Sequence, residues 1–128
     1  LEVHFLDRFF DLHVMDAMQV AVDSALKRLP MTSEDGLALA RERLERAYAW
    51  LEGRLVGRSW AAGVDFTLAD CAAAPSLFYA DRADRISEAF PVLRAYRARL
   101  LARPSFARAV DEARPYRSYF PLGAPDRD

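Results

Sequence analysis

The stretch that most constrains the fold runs from Phe66 to Pro75 and reads FTLADCAAAP. It predicts the start of a buried helix with Thr67 as its N-terminal cap. The Thr67 hydroxyl can accept a hydrogen bond from the Asp70 N–H, and the Asp70 carboxylate can accept one from the Thr67 N–H. This is a capping box with Asp in place of Glu or Gln. We therefore assign Thr67 and Asp70 a structural role.

Four small residues, Cys71 to Ala74, follow the first turn of this helix. Small side chains let neighbouring helices approach closely, so the helix is predicted to lie at the centre of a bundle. Cys71 is expected to be a buried, inert thiol among alanines, and to form a hydrophobic staple with Phe66.

The rest of the chain predicts four more helices and no strand, because its apolar residues recur at three- and four-residue spacing. The predicted helices span residues 2–29, 33–56, 67–82, 91–101 and 105–114. Ser33 is expected to cap the second helix. Residues 115–128 are predicted to form an irregular aromatic tail that packs back on the bundle. The sequence thus predicts a single all-α domain of about five helices over residues 1–128.

One face of the first helix changes character along its length. At 100° per residue, Phe5, Phe9 and Leu12 share a sector with Asp16 and further polar residues. Either the apolar half packs on an element that ends partway along, or it faces another domain, a partner subunit or an apolar ligand.

Composition excludes several classes of function. The net charge is −1 with arginines scattered through every segment, which favours neither nucleic-acid nor membrane-surface binding. No apolar run approaches the roughly 20 residues of a membrane span. The single cysteine is typical of a reducing compartment, so we expect a cytoplasmic protein. Because the chain begins at Leu1 without an initiator Met, we expect it to be part of a longer protein.

The residues that carry chemistry form no catalytic constellation. His4 and His13 lie about half a turn apart around the first helix and cannot share a metal ion from it. No nucleophile elbow or glycine-rich phosphate loop is present. We therefore expect no metal and no catalytic residue in this chain, which looks like the binding half of a larger protein.

Residues 63–75, GVDFTLADCAAAP, resemble the capping-box signature of the glutathione transferase C-terminal domain. The surrounding order matches too, with a helix end at Leu55, a loop at Trp60, PxLxxY from Pro91 and RPSF from Arg103. The resemblance covers essentially the whole chain. The departure is Cys71, which stands where the family commonly carries a branched aliphatic residue.

The resemblance implies a parent enzyme in which a thioredoxin-like N-terminal domain, absent from this chain, binds the co-substrate glutathione and activates its thiol. The helical domain would contribute the pocket for a small apolar electrophile and part of a homodimer interface. The residues expected at the pocket are Phe9, Leu12, His13, Asp16, Tyr119 and Phe120. The isolated chain is expected to be inactive.

Three functions remain open. The first is glutathione conjugation by the parent protein, with rate gained through thiol activation and proximity. The second is another glutathione-dependent reaction, a reduction or an isomerisation. The third is a non-catalytic interaction module of the same fold. The absence of a Lys-rich extension and the aromatic cluster at the start of the first helix favour an enzyme.

Overall fold

The computed structural model describes all 128 residues and is all-helical. The first helix is continuous but has three parts, namely α1 (Glu2–Phe9), a π-helical segment (Phe10–Met15) and α2 (Asp16–Ala25). The other elements are α3 (Ser33–Arg54), α4 (Leu68–Ala83), α5 (Pro91–Ala102), α6 (Pro104–Ala113) and a 3₁₀ helix (Arg114–Tyr119). The prediction of five helices and no sheet is confirmed. None of these helices has the length and apolar character needed to cross a membrane.

Helix α4 lies at the centre, where it packs against the first helix, α3 and α5. Ala73 and Ala74 are buried there, as the run of small residues predicts. Cys71 is exposed, so the prediction of a buried thiol is wrong. The reason is geometric: four consecutive residues cover a full turn of about 3.6 residues, so one of them must face outward. Phe66 packs on the Trp60 ring, with the centroids 5.1 Å apart, and its staple with Cys71 stays a prediction.

The predicted capping box of α4 is confirmed, and its Asp70 carboxylate also makes hydrogen bonds outside the helix start. The Thr67 N–H donates to Asp70 Oδ2 at 2.9 Å. The Thr67 side chain faces the Asp70 amide as well, although that amide is already held by the Thr67 carbonyl at 3.0 Å. Asp70 Oδ1 also accepts from the Ala61 N–H at 2.9 Å and from Tyr96 Oη at 2.6 Å. The buried carboxylate therefore joins the Trp60 loop, α4 and α5.

Two helix boundaries differ from the prediction. The first helix ends at Ala25, because Lys27 adopts a left-handed conformation with φ of 61°. Arg28 N–H then donates to the Asp23 carbonyl at 2.8 Å, which closes a Schellman motif. At the start of α3 the cap is Thr32, whose hydroxyl accepts from a backbone N–H at 3.0 Å. Ser33, the predicted cap, is the first helical residue.

The C-terminal tail is more regular than predicted. Residues Arg114–Tyr119 form a 3₁₀ helix, so the irregular part begins at Phe120. Phe120 packs on the ring of Tyr79 in α4, with the centroids 5.5 Å apart. Arg114 pairs with Asp128 at 2.7 Å. The tail therefore returns to the bundle, as expected, and its last residue is held by an ion pair.

Candidate functional site

The first helix and α3 pack side by side and build the candidate site between them. The Phe9 and Trp50 rings stack with their centroids 4.3 Å apart. At the far end of the pair Gly36 approaches so closely that a Cβ there would lie 2.0 Å from Ser24 Oγ. Early residues of one helix thus meet late residues of the other, so the helices are antiparallel. The two contacts fix their register.

The π-helical segment decides which side chains of the first helix face α3. The Asp16 N–H donates to the Asp11 carbonyl, five residues back, so this turn holds more residues than an α-helical turn. A constant step of 100° per residue therefore misplaces the second half of the helix relative to the first. The site is therefore lined by Ala17 and not by Asp16, the residue expected at the pocket.

Between the two helices lies an open cavity of about 460 Å³, a volume typical of small-ligand sites. Its lining residues are Phe9, Leu12, His13, Ala17, Arg43, Arg46, Ala47 and Trp50. Its apolar wall remains partly open, since Leu12 is 49% exposed and Trp50 is 38% exposed. Phe5, which touches Trp50, is 53% exposed. Apolar side chains clustered in this way form a surface suited to contact with a ligand or another protein.

Ring contacts hold the aromatic end of the cavity in place. Trp50 touches Phe5 at a centroid distance of 5.9 Å, and the Arg54 guanidinium lies 5.6 Å from the Trp50 ring centroid. On the other helix His13 packs against Phe9 at 4.9 Å. The Trp50 ring is thus fixed by its neighbours while part of it stays open to the cavity.

The polar groups at the cavity come from one histidine and two arginines. Arg46 pairs with Glu42 at 3.0 Å, and both side chains are mostly exposed. Arg43 has no carboxylate within 4.0 Å. No acidic residue lines the cavity. The cavity is therefore aromatic at the Trp50 end and positively charged one to two helical turns away.

Half of the residues expected at a pocket line this cavity. Those that line it are Phe9, Leu12 and His13. Asp16 is exposed and lies outside the lining. Phe120 lines a separate cavity of about 140 Å³ beside Tyr79, and Tyr119 is exposed. The tail therefore does not close the main cavity in this structure.

Sequence reasoning missed the whole α3 side of the cavity. Arg46 and Ala47 lie three and four residues after Arg43, and Trp50 lies three residues after Ala47, so the four share one face of α3 at the edge of the buried stripe. The available signal was Trp50 itself, a large aromatic residue three positions after Ala47 on an otherwise polar side. It was overlooked because α3 already has a complete apolar stripe without it.

The cavity offers a binding surface, and His13 is the only side chain in its lining of a type that commonly takes part in proton transfer. Its lining contains no Cys, Ser, Asp or Glu. The free thiol of Cys71 lies on α4, outside the lining. No group of three or more His, Cys, Asp or Glu side chains is placed to hold a metal ion. What the residues supply is ring contact at one end and positive charge at the other.

Comparisons with known proteins agree with this fold. The family model described as "Glutathione S-transferase, C-terminal domain" matches residues 34–99. The solved structure of FzlA from C. crescentus is similar, with a TM-score of 0.72 and 25% sequence identity over 86% of this chain. The chain spans about half, 51%, of that protein's chain. No curated protein matches the sequence. The family model matches more than half of the residues of this chain. The chain therefore belongs to the glutathione S-transferase C-terminal domain family.

Proposed function

We propose that this domain is the acceptor-binding half of a glutathione transferase. In this proposal a thioredoxin-like domain of the parent protein binds glutathione and activates its thiol. The cavity between the first helix and α3 holds the electrophile. The observation that carries the proposal is the cavity itself, of about 460 Å³, with Phe9, Leu12 and Trp50 in its wall.

The exposed apolar wall is the physical reason to expect an aromatic or aliphatic ligand. Covering about 100 Å² of apolar surface contributes roughly 2.5 kcal/mol to binding before the costs of association. Trp50 and Phe9 are already stacked on each other, so they lose little freedom when a ring packs beside them. A flat apolar electrophile is therefore the ligand class that this wall favours.

The domain contributes to rate by holding the electrophile, because effective molarity is gained when a reactant is fixed beside its partner. Activating a thiol commonly takes a histidine oriented by a carboxylate. His13 lines the cavity, but no carboxylate lines it beside His13. We therefore expect the isolated chain to bind ligands without conjugating them. Conjugation by the chain alone, at the rate of an intact transferase, would contradict this division of labour.

The test is conjugation of glutathione to aromatic electrophiles by the parent protein, comparing Leu12→Ala with Leu68→Ala. Leu12 is 49% exposed at the cavity, and Leu68 is 54% exposed on α4 away from it. We expect Leu12→Ala to lower kcat/KM severalfold and Leu68→Ala to leave it unchanged, because only the first leucine contacts ligand. Equal effects of the two truncations would place the acceptor elsewhere. The identity of the product separates conjugation from a glutathione-dependent reduction or isomerisation.

A docking role is the second candidate, and the exposed apolar surface of Phe5, Leu12 and Trp50 favours it. Such a surface can contact a protein as well as a small ligand. One such protein is a second copy of the parent, and we propose that the parent is a homodimer. Saturable conjugation supports the transferase. Docking is supported if the parent protein neither conjugates nor binds glutathione. In that case sedimentation should also show a stable complex with a mass above that of the single parent chain. The lone free cysteine agrees with a reducing, cytoplasmic location, which stays a proposal.

A further inference from the structure

The smaller cavity beside Tyr79, hereafter the second cavity, lies between α4, α6 and the C-terminal 3₁₀ helix. Its volume of about 140 Å³ is below the roughly 300–1,000 Å³ of pockets that enclose a whole small-molecule ligand. A space of this size instead suits a single side chain that a partner protein inserts as an anchor. The residues in its wall therefore indicate which side chain it can receive.

Arg82 gives the second cavity a positive charge that has no partner. No carboxylate lies within 4.0 Å of its guanidinium. None of the arginine side-chain hydrogen bonds in the structure comes from it. The guanidinium lies over three rings, 4.7 Å from the centroid of Phe78 and 5.7 Å from those of Tyr79 and Phe120. Stacking on rings holds the planar group in place and leaves its N–H donors free.

The charges around Arg82 favour a negatively charged occupant. Arg117 also lines the second cavity, and no acidic side chain does. Burial first, and then the Arg117 charge, lower the pKa of Arg82, so its positive charge costs free energy in the folded protein. A carboxylate placed beside Arg82 would reduce that cost.

The tail of the chain already places a carboxylate on this face of the protein. Asp128 pairs with Arg114 at 2.7 Å and also with Arg117. The face therefore accepts an acidic side chain from an extended segment. Asp128 makes no ion pair with Arg82, which leaves one cation of the second cavity open to a carboxylate from elsewhere.

Two exposed tyrosines provide a surface for the residues that flank such an anchor. Tyr116 lines the second cavity and is 64% exposed, and Tyr119 is 78% exposed. Their ring centroids lie 6.2 Å apart. Tyrosine is enriched where proteins meet, because its ring packs on apolar groups while its hydroxyl stays hydrated. Apolar residues next to an inserted acidic side chain can pack on these two rings.

We propose that the second cavity is a docking site for an acidic segment of a partner protein. One Asp or Glu side chain of the partner binds Arg82, and its apolar neighbours pack on Tyr116 and Tyr119. The planar guanidinium suits a carboxylate because the two can form paired hydrogen bonds. The two cavities share no lining residue, so docking here goes beyond the proposed transferase function and does not depend on it.

The test compares two capped pentapeptides that differ by one charge. The first has a glutamate between two leucines with a glycine at each end, and the second has glutamine in place of the glutamate. Each is titrated into the ¹⁵N-labelled 128-residue chain and followed by nuclear magnetic resonance. We expect the glutamate peptide to move the Arg82 Nε–H and Ala113 N–H signals and to leave the Arg43 Nε–H signal in place. It should bind about tenfold more tightly than the glutamine peptide, with an advantage that shrinks as salt is added.

Variants assign the preference to one arginine. Arg82→Gln should abolish the advantage of the glutamate peptide, and Arg82→Lys, which keeps the charge, should retain part of it. The matched control is Arg85→Gln, because Arg85 is exposed, has no carboxylate within 4.0 Å and lies outside the second cavity. It should leave both affinities unchanged. Tyr116→Ala, at an exposed ring, should weaken both peptides alike and keeps the test decisive if Arg82→Gln disturbs the packing.

Four results would overturn the proposal. Equal affinities of the two peptides, or an advantage that survives Arg82→Gln, would show that Arg82 does not recognise the carboxylate. Shifts that gather at Arg43 and Trp50 would place the peptide in the acceptor cavity. Shifts at Arg82 that inorganic phosphate reproduces at equal ionic strength would mean that any small anion binds there. None of these titrations uses conjugation, so their outcome is independent of the transferase proposal.

Discussion

Tyr96 Oη donates a hydrogen bond of 2.6 Å to Asp70 Oδ1, and both residues are fully buried. This contact ties α5 to the first turn of α4 across 26 residues of sequence. Burial first, and then the Asp70 carboxylate, raise the pKa of the Tyr96 hydroxyl well above its ordinary value. The hydroxyl therefore remains a donor throughout the pH range in which the protein can be studied.

We expect Tyr96→Phe to lower the free energy of unfolding by about 2 kcal/mol, because it removes a donor from a buried carboxylate. Urea unfolding followed by circular dichroism measures the loss. The matched variant is Tyr48→Phe, since Tyr48 is equally buried but donates to the neutral Asp84 carbonyl at 2.8 Å. That change should cost about 1 kcal/mol. Equal losses in the two variants would show that the charge on Asp70 adds nothing.

The Asp70 cluster also shows what sequence could and could not predict. The Thr67–Asp70 pairing is visible because a capping box has a fixed spacing of three residues. The bonds to Ala61 and Tyr96 join residues 9 and 26 positions away, and no local pattern marks them. Periodicity therefore predicted the helices and their order, while the contacts between helices required the structure.

At the candidate site, too, sequence spacing predicted the residues along one helix but not the contacts between helices. The constant helical step placed Phe9 and Leu12 on one face, and it is still accurate enough there because both precede or fall within the π-helical segment. His13 was expected only from the family resemblance. Past that segment the step fails, and Ala17 replaces Asp16 at the cavity. Trp50 was missed because its place depends on how α3 packs against the first helix, which sequence spacing does not specify.

The close approach of α2 and α3 predicts a marked difference between two glycines of α3. A Cβ on Gly36 would lie 2.0 Å from Ser24 Oγ and 2.3 Å from Ser24 Cβ, whereas nothing lies within 4 Å of one on Gly53. We expect Gly36→Ala to destabilise by about 1–3 kcal/mol through overpacking. Gly53→Ala should stabilise by up to about 1 kcal/mol, because Ala favours a helix.

Thermal unfolding of the two variants gives the comparison, and a third variant identifies the clash. In a Ser24→Gly background the Cβ and Oγ of residue 24 are gone, so Gly36→Ala should lose most of its cost. Ser24→Ala would not serve, since its Cβ remains. A cost that is unchanged in the Ser24→Gly background would mean that the first helix and α3 do not touch at this point.

The left-handed residue at the end of the first helix predicts a stabilising change. Lys27 has φ of 61° in a Schellman motif, a position that usually carries glycine. Its Cβ costs about 1 kcal/mol in that conformation. We expect Lys27→Gly to raise the free energy of unfolding by about that amount, and Lys27→Ala, which keeps the Cβ, to leave it nearly unchanged. If Lys27→Ala stabilised the protein as much as Lys27→Gly, the gain would come from loss of the lysine charge and not from loss of the Cβ.

Asp84, just after α4, makes the stability of the fold depend on pH. Burial, and then the neighbouring Glu45 carboxyl, raise the pKa of Asp84 from 3.8 to about 7, while Arg41 lowers it and Asp81 raises it. Asp84 Oδ2 is buried with no donor facing it. Two ionised carboxylates cannot donate to each other, so a proton on one of them supplies the missing donor.

The sign follows from where the proton is bound. Between about pH 4 and 7 the folded protein holds a proton on Asp84 that the unfolded chain releases, so the stabilisation is complete below this range and is lost as pH rises through it. We expect the free energy of unfolding in urea to fall from about pH 5 to about pH 8. Asp84→Asn, which mimics the protonated form, should flatten that slope, and Glu34→Gln, at an exposed acid of α3, should leave it in place. A slope that persists in Asp84→Asn would mean that another group takes up the proton.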